Sequence, residues 1–437
     1  MRSAHASSFF VRRCPSGMIP SRVPSVLLCA LLLLAPTACD NPTGVGGELI
    51  ERPNAGPQRV VLPLDIAPAT YAPITGVTTP TAISASRVLA GQTSGAPFGD
   101  VEATGYTDFA RGTTPEDVDL SSLTPDTVEV TFTSNYFYGD TTRAATFTLH
   151  DLNEEWEANG ARADTSLADI VEPSPITTFS VASSDTLTTV QLPDDWVSEH
   201  AAELRAEEDS VFAEDFHGFQ IRPTGGNGVV GFASRSLSMR AVFEDEDEEG
   251  EAREISFGTV RQLTTIRQPT PGASPEERYL IQDGVGRALA FDFGFPDSLR
   301  NVAVNSAELI FEVDTTFVSD EDFVRPALDG LQLYDVPLTD DGEPDEDEDA
   351  TLLRGTQFAF DAEQSRFVND FPLVALVQEI LLGTSELERF EVHPALQSVQ
   401  TQFGSTPVPV PSLDSRLIRH DDGHPPRLVM TYTPTGE

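Results

Sequence analysis

The chain has 437 residues, with 70 acidic side chains against 27 basic ones and a net charge of −43. Every basic residue is an arginine. A surface of that sign repels nucleic-acid phosphates and anionic lipid headgroups, which excludes nucleic acid as an expected partner; the length leaves room for two or three domains of about 150 residues each.

The chain opens with Arg12, Arg13 and Arg22, followed by an apolar run over 26–34 and then Ala35-Pro36-Thr37-Ala38-Cys39-Asp40. Basic region, short apolar region and small residues are the order of a secretory signal. The run is about half the ~20 residues a spanning helix needs, and Pro24 and Pro36 bracket it. Residues 1–38 are therefore expected to be a signal peptide, with Met1 or Met18 as the start. A cysteine just after the small residues is similar to the lipobox of bacterial lipoproteins, although Pro36 stands where that motif usually carries leucine. The resemblance implies a lipid on Cys39, membrane attachment through it, and an outer-membrane lipoprotein at the surface or periplasmic face. The alternative is an ordinary signal peptide with an incidental cysteine. Removing 1–38 leaves 23 basic residues against 70 acidic ones, a net charge of −47, and a single cysteine, so no internal disulfide can form. Such an acidic, lysine-free surface resembles that of proteins from salt-loving bacteria, where in ~1 M salt the Debye length falls to ~3 Å. A GC-rich genome that favours arginine codons is the other explanation.

From Cys39 to Gln58 the chain is rich in Gly, Pro and Asn without an apolar period, as expected of a tether. A β-rich region over 59–266 follows. Strands are expected at 59–66 and 83–89, then at 128–132, where apolar residues alternate strictly, and at 145–149 after Tyr138-Gly139-Asp140. More are expected at 176–181, 187–192, 216–222, 229–233, 238–243 and 255–260. One helix interrupts them, opened by Pro193 and Asp194, with Trp196, Ala201 and Leu204 on one face. Residues 267–278 are rich in Pro, Thr and Gly and are expected to be a linker. In the last region, 279–437, Leu289, Phe291, Phe293 and Phe295 alternate with Ala290, Asp292 and Gly294, and Ala307, Leu309, Phe311 and Val313 form a second alternating set. Strands at 331–336, 357–360, 389–393 and 428–432 complete it. A second helix is capped by Asn369 or Asp370, carries Pro372 in its first turn, buries Leu373, Leu376, Val377 and Ile380, and ends at Gly383. The fold class expected is mainly β: tandem antiparallel β-sandwich or jelly-roll-like regions with one or two short helices. Two acidic runs, 244–251 and 340–349, lie between strands as long loops.

Several of these residues form an ordered series: Leu289-Ala290-Phe291-Asp292-Phe293, Val304-Asn305-Ser306-Ala307-Glu308-Leu309, the 370–383 helix and Pro425-Pro426-Arg427-Leu428-Val429-Met430-Thr431-Tyr432. The series resembles the DNRLRE-type β-sandwich domain, related to carbohydrate-binding modules. Phe98-Gly99-Asp100 and Phe216-His217-Gly218-Phe219-Gln220-Ile221 resemble a group of Bacteroidota lipoproteins catalogued as a domain of unknown function. These resemblances imply a secreted or surface protein and carry over no catalytic residue.

Tyr136 and Tyr138 share one strand face, opposite Phe137, and with Trp156 are the candidates for an aromatic platform under a sugar ring; Trp196 is expected in the core. His420, Asp421, Asp422 and His424 put two imidazoles and two carboxylates within five residues, a candidate divalent-metal set whose alternative is a polar loop. The run from Asp245 imitates the start of a calcium loop, but its twelfth position is Ser256 rather than the bidentate Glu, so only loose Ca²⁺ binding is expected there. No Gly-x-Ser-x-Gly elbow, phosphate-binding Gly-Lys loop or His-Glu-x-x-His helix occurs. The expectation is a lipid-anchored, non-catalytic envelope protein without a cofactor that binds a polysaccharide or an envelope protein. The alternatives are a hydrolase subunit or degenerate enzyme, and a structural component of an envelope or secretion assembly. Ordered aromatics on one exposed sheet face would favour the glycan binder, a deep cleft with converging carboxylates the enzyme, and an exposed apolar patch beyond a few hundred Å² the structural subunit.

Overall fold

Apolar alternation commits most of this chain to strands that bury one face, and the computed structural model is mainly β accordingly. It describes residues 56–435 apart from 95–98, 113–122, 207–208, 245–252, 272–274, 301, 317–321, 340–343, 346–347, 349, 370–372, 386 and 402–403. Cys39, the signal peptide, most of the tether and most of the two acidic runs lie outside the described residues. Pro57–Glu437 forms one compact unit.

Strands β1 (Gln58–Pro63) and β2 (Ile66–Thr70) are followed by helix α1 (Pro80–Ala85). Then come β3 (Arg87–Thr93), β4 (Gly99–Arg111), β5 (Thr124–Asp140), β6 (Ala145–Asp151), β7 (Thr177–Val181) and β8 (Leu187–Gln191). Helices α2 (Asp194–Glu199), α3 (Ala201–Arg205) and α4 (Asp209–Asp215) precede β9 (Phe219–Gly225), β10 (Gly228–Ala233), β11 (Ser238–Glu244) and β12 (Arg253–Pro271). The remainder holds β13 (Arg278–Gln282), β14 (Arg287–Phe291), β15 (Val302–Glu312), β16 (Phe323–Val324), β17 (Gly330–Asp335), β18 (Thr351–Asp361) and β19 (Arg366–Asn369). Helix α5 (Val374–Leu381) leads to β20 (Phe390–Pro394), the hairpin β21 (Gln397–Thr401) and β22 (Gly404–Val408), and finally β23 (Ser415–Arg419) and β24 (Arg427–Pro434).

The first sheet runs β12-β11-β5-β10-β3-β4-β9-β6-β7. Strand β12 also pairs with β4 from Arg111 to Gly99, so six strands close into a barrel. Closure removes the open edges that would otherwise invite pairing with another chain. One edge of β4 is shared: Val101–Ala103 pairs with β3 and Gly105–Thr107 with β9, which carries β6 and β7 away as a flap. Phe132, Phe147, Phe232, Phe243 and Phe257 fill the core, and Trp196, Leu204 and Phe212 cover it from the helices. The second sheet runs β1-β24-β15-β19-β18-β17-β20-β14-β13-β23, with β2 beside β14. A bridge between Val313 and Ile418 brings its last strand back to the end of β15. The sheet thus curls around one core of Leu289, Phe291, Leu309, Phe311, Leu331, Phe367, Phe390 and Met430.

The structure corrects several expectations. Residues 58–70 belong to the second sheet and not to a 59–266 domain: β1 pairs with β24, and β2 with β14. A fragment starting at Ser274 would therefore lose two strands of its own sheet. The expected linker is strand as far as Pro271, because Thr270 and Pro271 pair with Asp100 and Gly99. Strand β16, from the last region, pairs with β5 of the first. Ile83 lies in a helix instead of a strand: Thr79 Oγ1 accepts from the Ala82 amide at 3.3 Å, and Pro80 stands in the first turn. The Trp196 helix is broken at His200 into two short ones. Leu373 occupies the N-cap of α5, while Asn369 Oδ1 accepts from the Leu309 amide at 2.8 Å. Gly383, with φ +65°, ends that helix as expected. The two halves meet where Tyr138, Val229 and Val101 of the barrel pack against Leu413, Val285 and Phe323.

Candidate functional site

The residues singled out in the sequence are mostly committed to packing. Tyr138 is 1 % exposed and meets the Phe323 ring edge-on at 5.6 Å. Tyr136 is half-buried; its hydroxyl accepts from the Leu413 amide at 2.8 Å, and the Arg87 guanidinium lies 4.7 Å from its ring centre. Trp156 is 4 % exposed and donates from Nε1 to the His217 carbonyl at 2.9 Å. None of the three forms an open platform. The physical reason is that the outer barrel face carrying both tyrosines is covered by the second half of the chain.

The metal candidates do not converge either. The His420 ring stacks on Tyr279 at 4.0 Å, and Asp422 is exposed. Asp421 accepts from His424 Nδ1 at 2.9 Å, from Arg419 Nε at 2.9 Å and from Arg278 Nη1 at 3.2 Å. The His424 contact, then Arg419, holds its carboxyl well below the usual range. That carboxylate is already saturated by donors and pins the loop before β24. Among the described residues no group of three or more His, Cys, Asp or Glu is arranged to hold a metal ion.

The feature with chemical capacity is a cleft of about 860 Å³ on the outer face of the second sheet. In β20, Phe390 and Val392 point into the core, so the alternate residues Glu391 and His393 point out. In β17, Leu331 and Leu333 do the same, which turns Gln332 and Tyr334 to the outer face; Tyr334 pairs with Glu391 and Gln332 with His393. His393 Nε2 donates to Glu391 Oε2 at 2.6 Å. Its ring is stacked between Tyr71, at 4.0 Å, and Tyr334, at 4.2 Å. Sequence positions 71, 334 and 393 thus form one aromatic ladder.

The turn between β13 and β14 assembles the other wall. Gly284 and Gly286 have φ of +70° and +68°, and a Cβ at either would strike the carbonyl oxygens of Ser412 and Tyr71 respectively. The turn can therefore lie against both segments. The Tyr71 amide donates to the Gly286 carbonyl at 2.9 Å, and the Asp283 amide to the Asp414 carbonyl at 3.0 Å. Ser412 Oγ donates to Asp283 Oδ2 at 2.7 Å. Arg162, from the first half, donates to the Ala72 carbonyl at 2.7 Å and anchors the Tyr71 segment.

Burial dominates the electrostatics here. It raises the Asp283 carboxyl to about 6, against the hydrogen bonds from Ser412 and the Gly284 amide and with a further push from Asp414. Burial also raises Asp414, and lifts Tyr71 well above the usual phenol range, with Asp283 adding to it. Tyr334 is raised by burial and by Asp283. Among the described residues, neither the Tyr71 nor the Tyr334 hydroxyl has a hydrogen-bond partner. Two phenol hydroxyls, a serine and three carboxylates (Asp283, Glu391 and Asp414) thus line one hollow with donors and acceptors for a polyhydroxylated ligand.

None of these positions was a candidate in the sequence. Alternation in Phe390-Glu391-Val392-His393 is the one signal that could have found part of the site, since it puts an acid and a histidine on the face opposite the core.

No known family model matches the chain, and no curated protein does. One solved structure, a "putative secreted protein" from Parabacteroides distasonis, aligns over 87 % of this chain and 100 % of its own at 9 % identity, with a TM-score of 0.17, too low to carry fold or function across.

Proposed function

We propose that this protein is a lipid-anchored envelope protein that binds a saccharide, without cleaving it, in the cleft beside Tyr71 and Tyr334. The observation that carries the reading is the gathering of two phenol hydroxyls without a partner among the described residues, Ser412, and the carboxylates of Asp283, Glu391 and Asp414 around one hollow of about 860 Å³. Sugars are held by such planar hydrogen bonds and by aromatic side chains. The resemblance of the second half to carbohydrate-binding-module-like sandwiches is in keeping with it. The small-residue run before Cys39 supports the anchor, and mass spectrometry of the mature amino terminus should find a lipid on that sulfur. An unmodified chain beginning elsewhere would remove the anchor from the reading.

Titration calorimetry against a panel of oligosaccharides tests the binding. A bound saccharide whose affinity falls at least about tenfold in Tyr334→Ala is the expected result. The three carboxylates favour a second reading, a glycoside hydrolase using an acid–base pair. Release of reducing ends by the same preparation would replace the proposed function with that one, and failure to bind any saccharide would remove both.

A further inference from the structure

We infer that the ligand of this cleft is cationic, a saccharide bearing free amino groups, whose ammonium is received by the carboxylates while its ring lies by the tyrosines. The inference rests on the saccharide reading above and names the class of sugar.

The charge balance of the hollow carries it. Beside Asp283, Glu391 and Asp414, three further carboxylates line it, Asp329, Asp345 and Glu348, against one lining guanidinium, Arg162, and the imidazole of His393, which is bonded to Glu391. Two more guanidiniums act from behind the wall, Arg87 on Asp283 and Asp414, and Arg416 on Asp329. Among the described residues that line the hollow, the excess is negative. A concave, partly desolvated wall focuses that field, which repels uronic acids, sulfates and phosphates and favours an ammonium. Asp345 and Glu348 come from the acidic run over 340–349, so part of that run edges the cleft. The Asp345 amide donates to the Pro337 carbonyl at 2.9 Å, which ties this part of the run to the strand end after Tyr334. Tyr71 and Tyr334, which line the hollow, have hydroxyls without a hydrogen-bond partner among the described residues, and a phenol oxygen is an acceptor that an ammonium donor would satisfy. Tyrosine rings beside carboxylates add the attraction of an aromatic face for a cation.

The charged and titratable groups facing Asp283 are Asp414, Arg87, Tyr71 and Tyr334. With Asp283 raised to about 6, affinity for the amine strengthens as pH rises through that value. It weakens again where the ligand amine loses its proton.

The experiment compares glucosamine tetramer, its fully N-acetylated counterpart and a uronic-acid tetramer by calorimetry on the full chain at physiological salt and near-neutral pH. The glucosamine tetramer should bind at least about tenfold tighter than the acetylated one, and the uronate should not bind. Asp414→Asn and Tyr334→Ala should each remove that preference, while Glu363→Gln, an exposed acid outside the cleft, should leave it intact. If Tyr334→Ala fails to fold, Asp414→Asn carries the test. Equal binding of the amine and acetylated tetramers would overturn the amine inference and leave the saccharide reading standing. A preference that survives both cleft variants would be diffuse attraction to the acidic surface, and overturns it. An arginine-rich peptide that displaces the sugar would replace it with a basic protein partner. No saccharide binding at all would remove the proposed function as well.

Discussion

Two sets of tyrosines make opposite use of the same chemistry. Tyr136 and Tyr138 sit two apart on β5, share a face, and are spent on joining the two halves of the molecule. Tyr71 and Tyr334 are 263 positions apart, flank one histidine, and open onto a cleft. The difference is what lies above each. An aromatic pair on an outer sheet face becomes a platform only if nothing else in the chain covers it, and here Leu413, Val285 and Phe323 cover the first pair. The second pair lines the cleft instead, with the glycine turn at 284–286 lying against the Tyr71 and Ser412 carbonyls and Tyr71 stacked on His393.

The comparison breaks most visibly at Tyr138. Truncation to Ala at this fully buried ring should cost ~3–5 kcal/mol in denaturant unfolding, whereas truncation of half-buried Tyr71 should cost clearly less and should act on ligand affinity. If the costs are reversed, the assignment of one pair to packing and the other to binding is wrong.

Asp283 offers a test of the next size. Its folded value of about 6 lies above the ordinary ~3.9 of an unfolded aspartate, so the folded state keeps a proton that the unfolded chain has lost. Stability from this group is present below about pH 4 and is lost as pH rises to about 6, by at most ~3 kcal/mol. Asp283→Asn should remove that slope and leave the variant more stable than the wild type at pH 7. A wild-type stability that is flat between pH 4 and 6 would mean the carboxylate is better solvated than its surroundings imply.

Smaller effects separate the hydroxyls. Tyr136→Phe leaves the Leu413 amide without its acceptor and should cost ~1–2 kcal/mol. Tyr334→Phe removes a hydroxyl that has no hydrogen-bond partner among the described residues and should change the unfolding free energy by no more than ~0.5 kcal/mol, while weakening saccharide binding. Equal thermal shifts in the two variants would erase the distinction between them.

Residue pattern also decided how the acidic partners were placed. Glu312 alternates away from Phe311, a spacing that by itself would face solvent, yet its carboxylate accepts from Arg427 Nη2 at 2.6 Å and lies 3.6 Å from His424. Phe311 itself is fully buried, as its spacing implied. Periodicity says which side of a strand a residue takes; it cannot say what is waiting on that side.

What the sequence by itself determined is the local layer: a mainly β chain, the inward sets Leu289–Phe291 and Ala307–Val313, the apolar side of the helix around Val377, and the glycine that ends it. These follow from steric and burial rules acting over a few residues, so a few residues suffice to read them. Tertiary structure alone decided that 58–70 complete the second sheet, that β12 closes the barrel against β4, and that Tyr71, Asp283, Tyr334, Glu391, His393 and Asp414 meet around one cleft. Those outcomes depend on which strand edges find each other across hundreds of residues. Backbone hydrogen bonding is the same for every partner, so the choice is made by the whole packed core and no single stretch records it.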